Sequence, residues 1–342
     1  MKYKLGELVQ IKYGKDHKKL EDGNIPVYGT GGLMRKVNDF LYSGESVLIP
    51  RKGSLNHVMF VTDKFWTVDT MFWTKIDNKK VLPKYLYYCL SKLDLSALNV
   101  GSAVPSLTVK ILNEINLEIP SLDSQRKVIK KIEPIERKIV LNNQINDNLL
   151  ELLNAQYKHL LSKHNLAKVK LSELCDISAG GDKPKKISKM KSNENLVPVY
   201  SNGTNKDGLY GYTNKAKIFK KAVTISARGT IGYTVLRTEP FVPIVRLISL
   251  QSKGAISAEF LYLLISNLSI QGYGSTQQQI TVPYMKKIVV NIPSLNLINK
   301  FQKEISPLFN QIDRNKRENE QLTNIRNVLL DKFVQYPLGL TL

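Results

Sequence analysis

Ile119-Pro120-Ser121-Leu122 occurs a second time, unchanged, as Ile292-Pro293-Ser294-Leu295. Residue numbers 119 and 292 differ by 173, which is about half of the 342-residue chain. Other stretches return at a similar spacing: Ile25-Pro26-Val27-Tyr28 corresponds to Val197-Pro198-Val199-Tyr200, and Arg51-Lys52-Gly53-Ser54-Leu55 to Ala227-Arg228-Gly229-Thr230-Ile231. A duplication of this length predicts two similar units related by an approximate two-fold axis. That symmetry suits a protein that grips two comparable objects, or one two-fold object such as duplex DNA.

The segment after each tetrapeptide predicts a long helix. Apolar residues recur there at steps of three and four: Val128, Ile132, Ile135, Ile139, Leu149, Leu153 and Leu160 in the first copy, and Phe301, Ile305, Leu308, Ile312, Leu322, Leu329 and Phe333 in the second. This spacing is typical of helices with a coiled-coil seam. Pro134 and Pro307 occupy equivalent positions, where each proline is expected to kink its helix or to start the long section.

Each predicted helix carries two asparagines near its seam, Asn142 and Asn146 in the first and Asn315 and Asn319 in the second. They are either exposed on the helix flank or buried as pairs that fix the register. Antiparallel pairing of residues whose numbers sum to about 461 sets Asn142 against Asn319 and Asn146 against Asn315. It also sets Leu149 against Ile312, so polar residues meet polar ones and apolar residues meet apolar ones.

The residues before each long helix predict a compact globule built around a β-sheet. Short β-branched and aromatic runs at 46–49, 58–61, 65–68, 222–225 and 233–236 alternate with turn residues. Each globule opens with an amphipathic element at helical spacing, at 5–11 and 171–177, and contains a further helix, at 84–95 and 259–268. The predicted fold class is α/β (α+β), with two globular domains containing twisted β-sheets, joined by two long antiparallel coiled-coil helices in an internal pseudo-two-fold repeat. The predicted divisions are 1–120, 121–165, 166–293 and 294–342.

The charge distribution favours a polyanionic partner. The chain has 50 basic and 29 acidic residues, a net charge of +21. Residues 1–120 carry 17 basic and 12 acidic side chains, and residues 166–293 carry 18 and 7, so most of the excess lies in the two globules. One interpretation is a lysine-rich solubilising surface, and the other is a surface that binds nucleic acid.

Membrane, redox and metal functions find little support in the sequence. No apolar run reaches 18 residues and no apolar signal region follows the N-terminus, so we expect the chain in the cytoplasm. Cys89 and Cys175 lie in apolar stretches and are expected to be small buried thiols. The four histidines show no metal-ligand spacing. We therefore predict no metal site and no cofactor.

Catalytic motifs are also missing. Gly29-Thr30-Gly31-Gly32 resembles a phosphate-binding loop but lacks the following Lys-Ser/Thr pair. Val282-Pro283-Tyr284 resembles the Asp/Asn-Pro-Pro-Tyr/Phe signature of aminomethyltransferases, but it lacks the acidic or amide residue, and no glycine-rich cofactor loop precedes it. We therefore predict no catalytic residues.

Several loops carry side chains suited to DNA. Arg51 and Arg228 stand beside turn glycines, where a guanidinium can bond guanine bidentately, although a tight hairpin with a solvated arginine gives the same pattern. The glutamines after the loop at Gly274-Ser275 can read adenine, and lysines 183–191 suit phosphates in a mobile loop. The predicted DNA-binding residues are Arg35, Lys36, Arg51, Lys52, Ser54, Asn56, Lys183, Lys185, Lys186, Arg228, Thr230, Gln277, Gln278 and Gln279.

The chain resembles the specificity subunit of type I restriction-modification systems. The matching residues are the Leu-Gly-Glu-Leu and Leu-Ser-Glu-Leu starts at 5–8 and 171–174, the two Pro-Val-Tyr turns, the glycine turns at 51–55 and 228–232, and the two Ile-Pro-Ser-Leu joints. The resemblance covers essentially the whole chain. It departs at the joints, where that family usually has Pro-Pro and then Glu-Gln. Here Pro-Ser is followed by Ser124-Gln125 in one copy and Ile298-Asn299 in the other.

This resemblance implies two target recognition domains, at 1–120 and 166–293, each reading one half of a split DNA site. The helices at 121–165 and 294–342 would act as the spacer. Two methyltransferase subunits and the restriction subunits, which are motor nucleases, would be its partners. The alternative is a free-standing DNA-binding or scaffold protein without enzyme partners. Apolar residues outside the mutual helix seam, among them Leu141, Leu150, Leu152, Tyr157 and Leu161, favour the first, because a two-helix rod cannot cover them.

Overall fold

A computed structural model describes residues 1–98, 105–270 and 279–334. The chain forms two compact units. Unit 1 consists of Met1–Val140 and Asn319–Leu342, and unit 2 consists of Leu141–Glu318. Each unit therefore combines one globule with a part of both long helices. The assignment of four functional domains stays a prediction.

Unit 1 contains the first half of the elements. Its strands are β1 (Lys2–Lys4), β2 (Val9–Tyr13), β3 (Asp22–Gly29), β4 (Gly32–Val37), β5 (Ser46–Pro50), β6 (Met59–Val61), β7 (Trp66–Thr67), β8 (Met71–Ile76) and β9 (Asn116–Glu118). Its helices are α1 (Leu5–Leu8), α2 (Pro83–Ser91), a 3-10 turn at Leu95–Leu98, α3 (Val109–Asn113), the first part of α4 (Leu122–Lys163) and the last part of α8 (Leu295–Phe333).

Unit 2 contains the second half. Its strands are β10 (Ala167–Lys170), β11 (Cys175–Ala179), β12 (Val197–Tyr200), β13 (Leu209–Thr213), β14 (Ala222–Ile225), β15 (Thr234–Arg237), β16 (Val242–Pro243), β17 (Ile248–Ser252) and β18 (Val289–Ile292). Its helices are the second part of α4, α5 (Leu171–Leu174), a 3-10 turn at Asn205–Gly208, α6 (Ala258–Ser266), α7 (Val282–Lys287) and the first part of α8 (Leu295–Phe333).

The two units repeat one sheet topology. Four-stranded sheets run β2-β8-β5-β6 and β11-β17-β14-β15, three-stranded sheets run β4-β3-β7 and β13-β12-β16, and two-stranded ribbons pair β1 with β9 and β10 with β18. Neighbouring strands are antiparallel except for β3 with β7 and β12 with β16. The predicted duplication is therefore confirmed strand by strand. The predicted combination of β-sheet globules and two long helices is confirmed as well.

One of the two central strands of each four-stranded sheet, β5 in unit 1 and β14 in unit 2, is buried on both faces, which explains its largely apolar sequence. In β5, Val47 and Ile49 face one hydrophobic cluster, whereas Leu48 between them belongs to a second cluster on the opposite face. In β14, Val223 and Ala222 likewise belong to different clusters. Side chains alternate across a strand, so a strand with a core on each side carries apolar residues on both of its faces.

The opening element of each globule is helical over its first turn only. The predicted helical spacing at 5–11 gives the four-residue α1, after which β2 begins at Val9. Glu7 accepts a hydrogen bond from the backbone N–H of Lys4 and so caps this short turn. Val9 then pairs with Ile76 of β8. The helix therefore ends at Leu8, where pairing with β8 replaces the helical hydrogen bonds.

Both cysteines are small buried thiols, as predicted. Cys89 lies in α2 and Cys175 begins β11. Burial raises the pKa of each thiol to about 12. Neither group is a thiolate near neutral pH, so neither is poised for nucleophilic or redox chemistry.

Within unit 2 the two long helices run antiparallel, and asparagines lie buried between them. Asn146 and Asn315 are 6% and 4% exposed, and Nδ2 of Asn315 donates to Oδ1 of Asn146 at 2.8 Å. This confirms both the predicted pair and its burial. The predicted partner of Asn142 is Asn319. The Nδ2 of Asn142 donates to Oε2 of the preceding residue on α8, Glu318, at 2.7 Å.

Tyr157 was expected to need cover from an enzyme partner, and this expectation is wrong. Its side chain is 2% exposed, and its ring lies 5.7 Å from that of Phe260 on α6 and 6.5 Å from that of Phe301 on α8. Leu150 and Leu161 also pack against the core of unit 2. The globule covers one side of α4, which a model of two isolated helices cannot foresee. Leu141 and Leu152 remain exposed, at 50% and 46%.

Candidate nucleic-acid interface

The two glycine turns that were predicted to present arginines occupy equivalent places, between β5 and β6 in unit 1 and between β14 and β15 in unit 2. Gly53 has φ of 85° and Gly229 has φ of 70°. Residues with a Cβ rarely adopt this left-handed conformation, which explains glycine at both positions. Lys52, Ser54 and Thr230 beside them are exposed. Each turn therefore displays polar side chains at one end of its four-stranded sheet.

In unit 2 the turn holds a guanidinium and an amide together. Arg228 is half-buried, and its Nη2 donates to Oε1 of Gln279 at 3.1 Å. Two predicted residues are thus brought into contact although 51 positions separate them. The hydrogen bond orients the guanidinium, whose other N–H groups can still donate to a ligand. Gln277 and Gln278 lie outside the described residues.

Asn202 organises this turn and was missed from the sequence. It follows β12, and its Oδ1 accepts from the backbone N–H of Ala227 at 2.8 Å, directly before Arg228. Its Nδ2 donates to the carbonyl of Val245 at 2.6 Å. One side-chain amide therefore joins three loops of unit 2. No local pattern marks it, since asparagine is common in loops of every kind.

In unit 1 the corresponding polar residues are largely engaged by the protein itself. Nη1 of Arg51 donates to the carbonyl of Asp69 at 3.1 Å, and the guanidinium lies 5.4 Å from the ring centre of Tyr13. Asn56 donates to Oδ1 of Asp94 at 2.9 Å and accepts from the N–H of Ser96 at 3.1 Å. These contacts hold the turn in place. They leave the exposed Lys52 and Ser54 as the outward-facing members of the predicted set.

The hairpin of β3 and β4 meets the same turn at its tip. The imidazole Nδ1 of His57 is 2.7 Å from the carbonyl oxygen of Thr30, to which it donates when protonated. Arg35 and Lys36 lie farther along β4, opposite Val27 and Pro26. Arg35 donates to Asp22 Oδ1 at 2.9 Å and is half-buried, whereas Lys36 is exposed. The contacts of the structure thus place His57 and Thr30 at the turn, and Arg35 and Lys36 away from the hairpin tip.

The lysine-rich segment of unit 2 is hydrogen-bonded to the three-stranded sheet, and its mobility stays a prediction. Ser188 exchanges two backbone hydrogen bonds of 2.8 Å with Tyr212, and the hydroxyl of Thr213 donates to the carbonyl of Lys186 at 2.8 Å. Lys183 lies 5.4 Å from the ring centre of Tyr210. The side chains of Lys183, Lys185 and Lys186 are exposed. The segment therefore offers cations from a supported backbone.

Arg237 of unit 2 has a structural role. Arg237 is 5% exposed, and its guanidinium carbon lies 3.6 Å from the ring centre of Tyr200. Nε donates to Oγ1 of Thr224 at 3.0 Å and Nη2 to the carbonyl of Asp207 at 2.6 Å. Burial lowers the pKa of Arg237, but an arginine in this position stays protonated. Arg237 supports the loop after β12, and its guanidinium is not presented to a ligand.

Within residues 1–98, 105–270 and 279–334 no three histidine, cysteine or acidic side chains are grouped so that they could hold a metal ion. In the same part of the chain no helix is both long enough and apolar enough to cross a membrane. The clustered polar groups are guanidinium, ammonium, hydroxyl and amide groups, which bind phosphates and base edges.

A family model described as type I restriction modification DNA specificity domain matches residues 1–151 and 163–326. The chain belongs to this family. A type I specificity subunit of Mycoplasma pneumoniae is 29% identical over 326 residues, which cover 90% of this chain and 88% of that protein. The specificity subunit of the type I restriction enzyme HindI of Haemophilus influenzae is 22% identical over 400 aligned positions, covering 87% of this chain and 86% of that protein.

A solved structure has the same fold. The S subunit of a type I restriction-modification system from M. genitalium superposes with a TM-score of 0.60 at 18% sequence identity, covering 99% of this chain and 96% of that chain. At this identity the likeness concerns the fold alone. The two globules with long helices are therefore an architecture that is already seen in a type I specificity subunit.

In this specificity-family chain a buried glutamine secures the first joint. Gln125, three residues into α4, is fully buried. Its Oε1 accepts from the backbone N–H of Leu82 at 2.7 Å, at the start of α2. Its Nε2 donates to the carbonyls of Lys80 at 3.1 Å and Pro120 at 2.9 Å. The long helix is thereby tied to the start of α2 and to the joint itself.

The second joint uses the same contact from a different position. Counted from the identical tetrapeptides, Ile298 stands where the first copy has Gln125, and Gln302, about one helical turn later, approaches the start of α6. Its Oε1 accepts from the N–H of Ser257, and its Nε2 donates to the carbonyl of Ala255 at 2.9 Å. The departure from the family pattern at this joint is therefore compensated from the next turn of α8.

Proposed function

We propose that this chain is the non-catalytic DNA-recognition subunit of a type I restriction-modification complex. In this proposal unit 1 and unit 2 each read one half of a bipartite DNA site. The observation that carries it is the repeated glycine turn, which presents cationic and hydroxyl side chains at the same end of the four-stranded sheet in both units. Two units with the same sheet topology but different side chains on their turns suit two half-sites of different sequence.

The partners would be two methyltransferase subunits, one for each repeat, and restriction subunits that join them on the DNA. An exposed apolar face supports this. Leu141, Ile145 and Leu152 are 50%, 37% and 46% exposed and follow one another at steps of four and seven, so they lie on one side of α4. A free-standing DNA-binding protein has no use for such a face. As a reader of chromosomal DNA the subunit would work in the cytoplasm.

Methylome sequencing of cells with and without the chain tests the function. We expect a bipartite methylated motif that disappears when the chain is deleted and returns when it is restored. An unchanged methylome would contradict the proposal. Co-purification with a methyltransferase subunit distinguishes a subunit of a restriction-modification complex from a free-standing DNA-binding protein. A chain that binds duplex DNA but retains no methyltransferase subunit would be the free-standing binder.

Arg228→Ala should weaken specific DNA binding more than Lys185→Ala. A bidentate base contact discriminates between bases by roughly 1 to 3 kcal/mol, whereas one phosphate contact acts alike on all sequences and changes the salt dependence. Affinities for duplexes with the methylated motif and for scrambled duplexes, each measured at several salt concentrations, report both effects. The control is Arg228→Lys, which keeps the charge and loses the bidentate geometry. Equal loss on both duplexes would show that Arg228 does not read a base.

A further inference from the structure

The turn between β16 and β17 has a backbone that does not suit its sequence. Val245 and Arg246 have φ of 51° and 60°, and the N–H of Leu247 donates to the carbonyl of Ile244 at 3.1 Å. Turns with two successive left-handed residues usually contain Asn-Gly, Asp-Gly or Gly-Gly. A β-branched valine is especially unfavourable in this region. The chain thus retains two strained residues where glycine would be relaxed.

Neighbouring backbone holds this turn in its conformation. The N–H of Val245 donates to the carbonyl of Gly181 and that of Arg246 to the carbonyl of Gly180, both at 2.9 Å. A Cβ at Gly180 would lie 2.7 Å from the nitrogen of Ile244, so only glycine permits this approach. Strained residues persist where their surroundings fix them in this way, and such residues are concentrated at functional sites.

The turn stands beside the Arg228 turn. The side chain of Asn202 contacts Val245 at 2.6 Å with its Nδ2 and Ala227 at 2.8 Å with its Oδ1. The residues that follow these two contacts are Arg246 and Arg228. The two guanidinium groups therefore emerge from adjacent loops whose separation is set by one amide.

Arg246 is exposed, and among the described residues no carboxylate forms an ion pair with its guanidinium. The equivalent turn of unit 1, in which Met71 N–H donates to the carbonyl of Val68, has Asp69 and Thr70 at its centre. Neither of these has positive φ. The arginine and the strained backbone thus occur together in unit 2, where Val245 and Arg246 take the places of Asp69 and Thr70, so that the turn loses an acidic residue and gains a cation.

We propose that Arg246 is a specificity-determining residue that, together with Arg228, contacts the major-groove edge of a guanine in the half-site read by unit 2. This rests on the proposed function and adds a residue to it. Arg246 occupies a position where its positive φ is strained and where glycine would not be strained. An arginine at this position suits guanine because its fork matches the N7 and O6 acceptors.

The test is selection from a library of randomised DNA duplexes by the full-length chain bound to its methyltransferase subunit. Wild type should enrich a bipartite motif. Arg246→Ala and Arg246→Lys should lose roughly 5- to 150-fold of the preference for guanine at one or two positions. Those positions should lie in the half-site that Arg228→Ala also affects, and the other half-site should be unchanged. The control is Lys220→Ala, an exposed lysine at the opposite end of β14, which removes the same charge.

A stability measurement separates reading from folding. Arg246→Gly should leave the Tm of the full-length chain unchanged or raise it by about 2 to 4 °C, because glycine accepts positive φ without strain. A fall in Tm would show that the arginine serves the fold and would overturn the proposal. An unchanged motif, or a uniform loss like that of Lys220→Ala, would overturn it too. If wild type enriches no motif, the proposed function and this inference fail together.

Discussion

Replacing Tyr157 with alanine should lower the free energy of unfolding by about 3 to 5 kcal/mol, as for other large buried aromatic residues. Tyr157 joins α4 to the globule of unit 2 through Phe260 and to α8 through Phe301, so its removal opens a cavity among three elements. The two phenylalanines also contact each other, with ring centres 6.3 Å apart. They cannot both move into the space. Urea unfolding of the full-length variant and wild type measures the difference.

Two control variants show whether the loss of stability comes from removing a buried ring. Tyr157→Phe keeps the ring and should change stability little. Leu152→Ala removes a similar apolar side chain from the same helix where it is 46% exposed, and should cost less than about 1 kcal/mol. If Leu152 belongs to the methyltransferase-binding face, Leu152→Ala weakens co-purification with that subunit while stability is retained. Equal destabilisation by Tyr157→Ala and Leu152→Ala would contradict the buried position of Tyr157.

Gln125→Leu should cost roughly 2 to 4 kcal/mol, because it leaves the N–H of Leu82 and the carbonyl of Lys80 without their partner. The matched variant is Gln302→Leu, which removes the same contact in unit 2. Gln302 is half-buried, so water can replace its hydrogen bonds and the loss should be smaller. Thermal and urea unfolding of both variants compare the two joints.

Gln125→Glu tests the role of the side-chain N–H groups. An ionised glutamate can accept from Leu82, but it would place a buried negative charge against the carbonyl oxygens of Lys80 and Pro120, so Gln125→Glu should cost at least as much as Gln125→Leu. If Gln302→Leu proves as harmful as Gln125→Leu, burial does not distinguish the two joints, and the argument from their exposure is wrong.

Much of the architecture could be predicted because it depends on repeats and periodicity along the chain. The duplicated tetrapeptide places the start of both long helices, which begin at Leu122 and Leu295. The apolar runs at 46–49 and 222–225 predict strands, and β5 and β14 cover them. The Asn146–Asn315 pair also follows from matching polar with polar along two helical seams. Each of these signals is local, or is a comparison of two local patterns.

The candidate site was less predictable. The glycine turns could be found because Gly53 and Gly229 mark left-handed positions. The contact of Arg228 with Gln279 could not, since it depends on how loops 51 residues apart are brought together. Arg51 and Arg228 look alike in sequence, yet Arg51 is engaged by Asp69 and Tyr13. Whether the remaining predicted residues contact DNA stays a prediction.

The sequence by itself determined the duplication, the order of globule and helix, the buried cysteines and the basic character of the two globules, because composition and spacing carry this information. Only the tertiary structure decided which side chains are buried or hydrogen-bonded within the protein. It buried Tyr157, transferred the second joint's contact to Gln302, and folded Val245-Arg246 into a turn that its residue types disfavour. The physical reason is that burial, hydrogen-bond partners and strained backbone are set by residues distant in the chain, whose positions appear only when the sheets and helices pack.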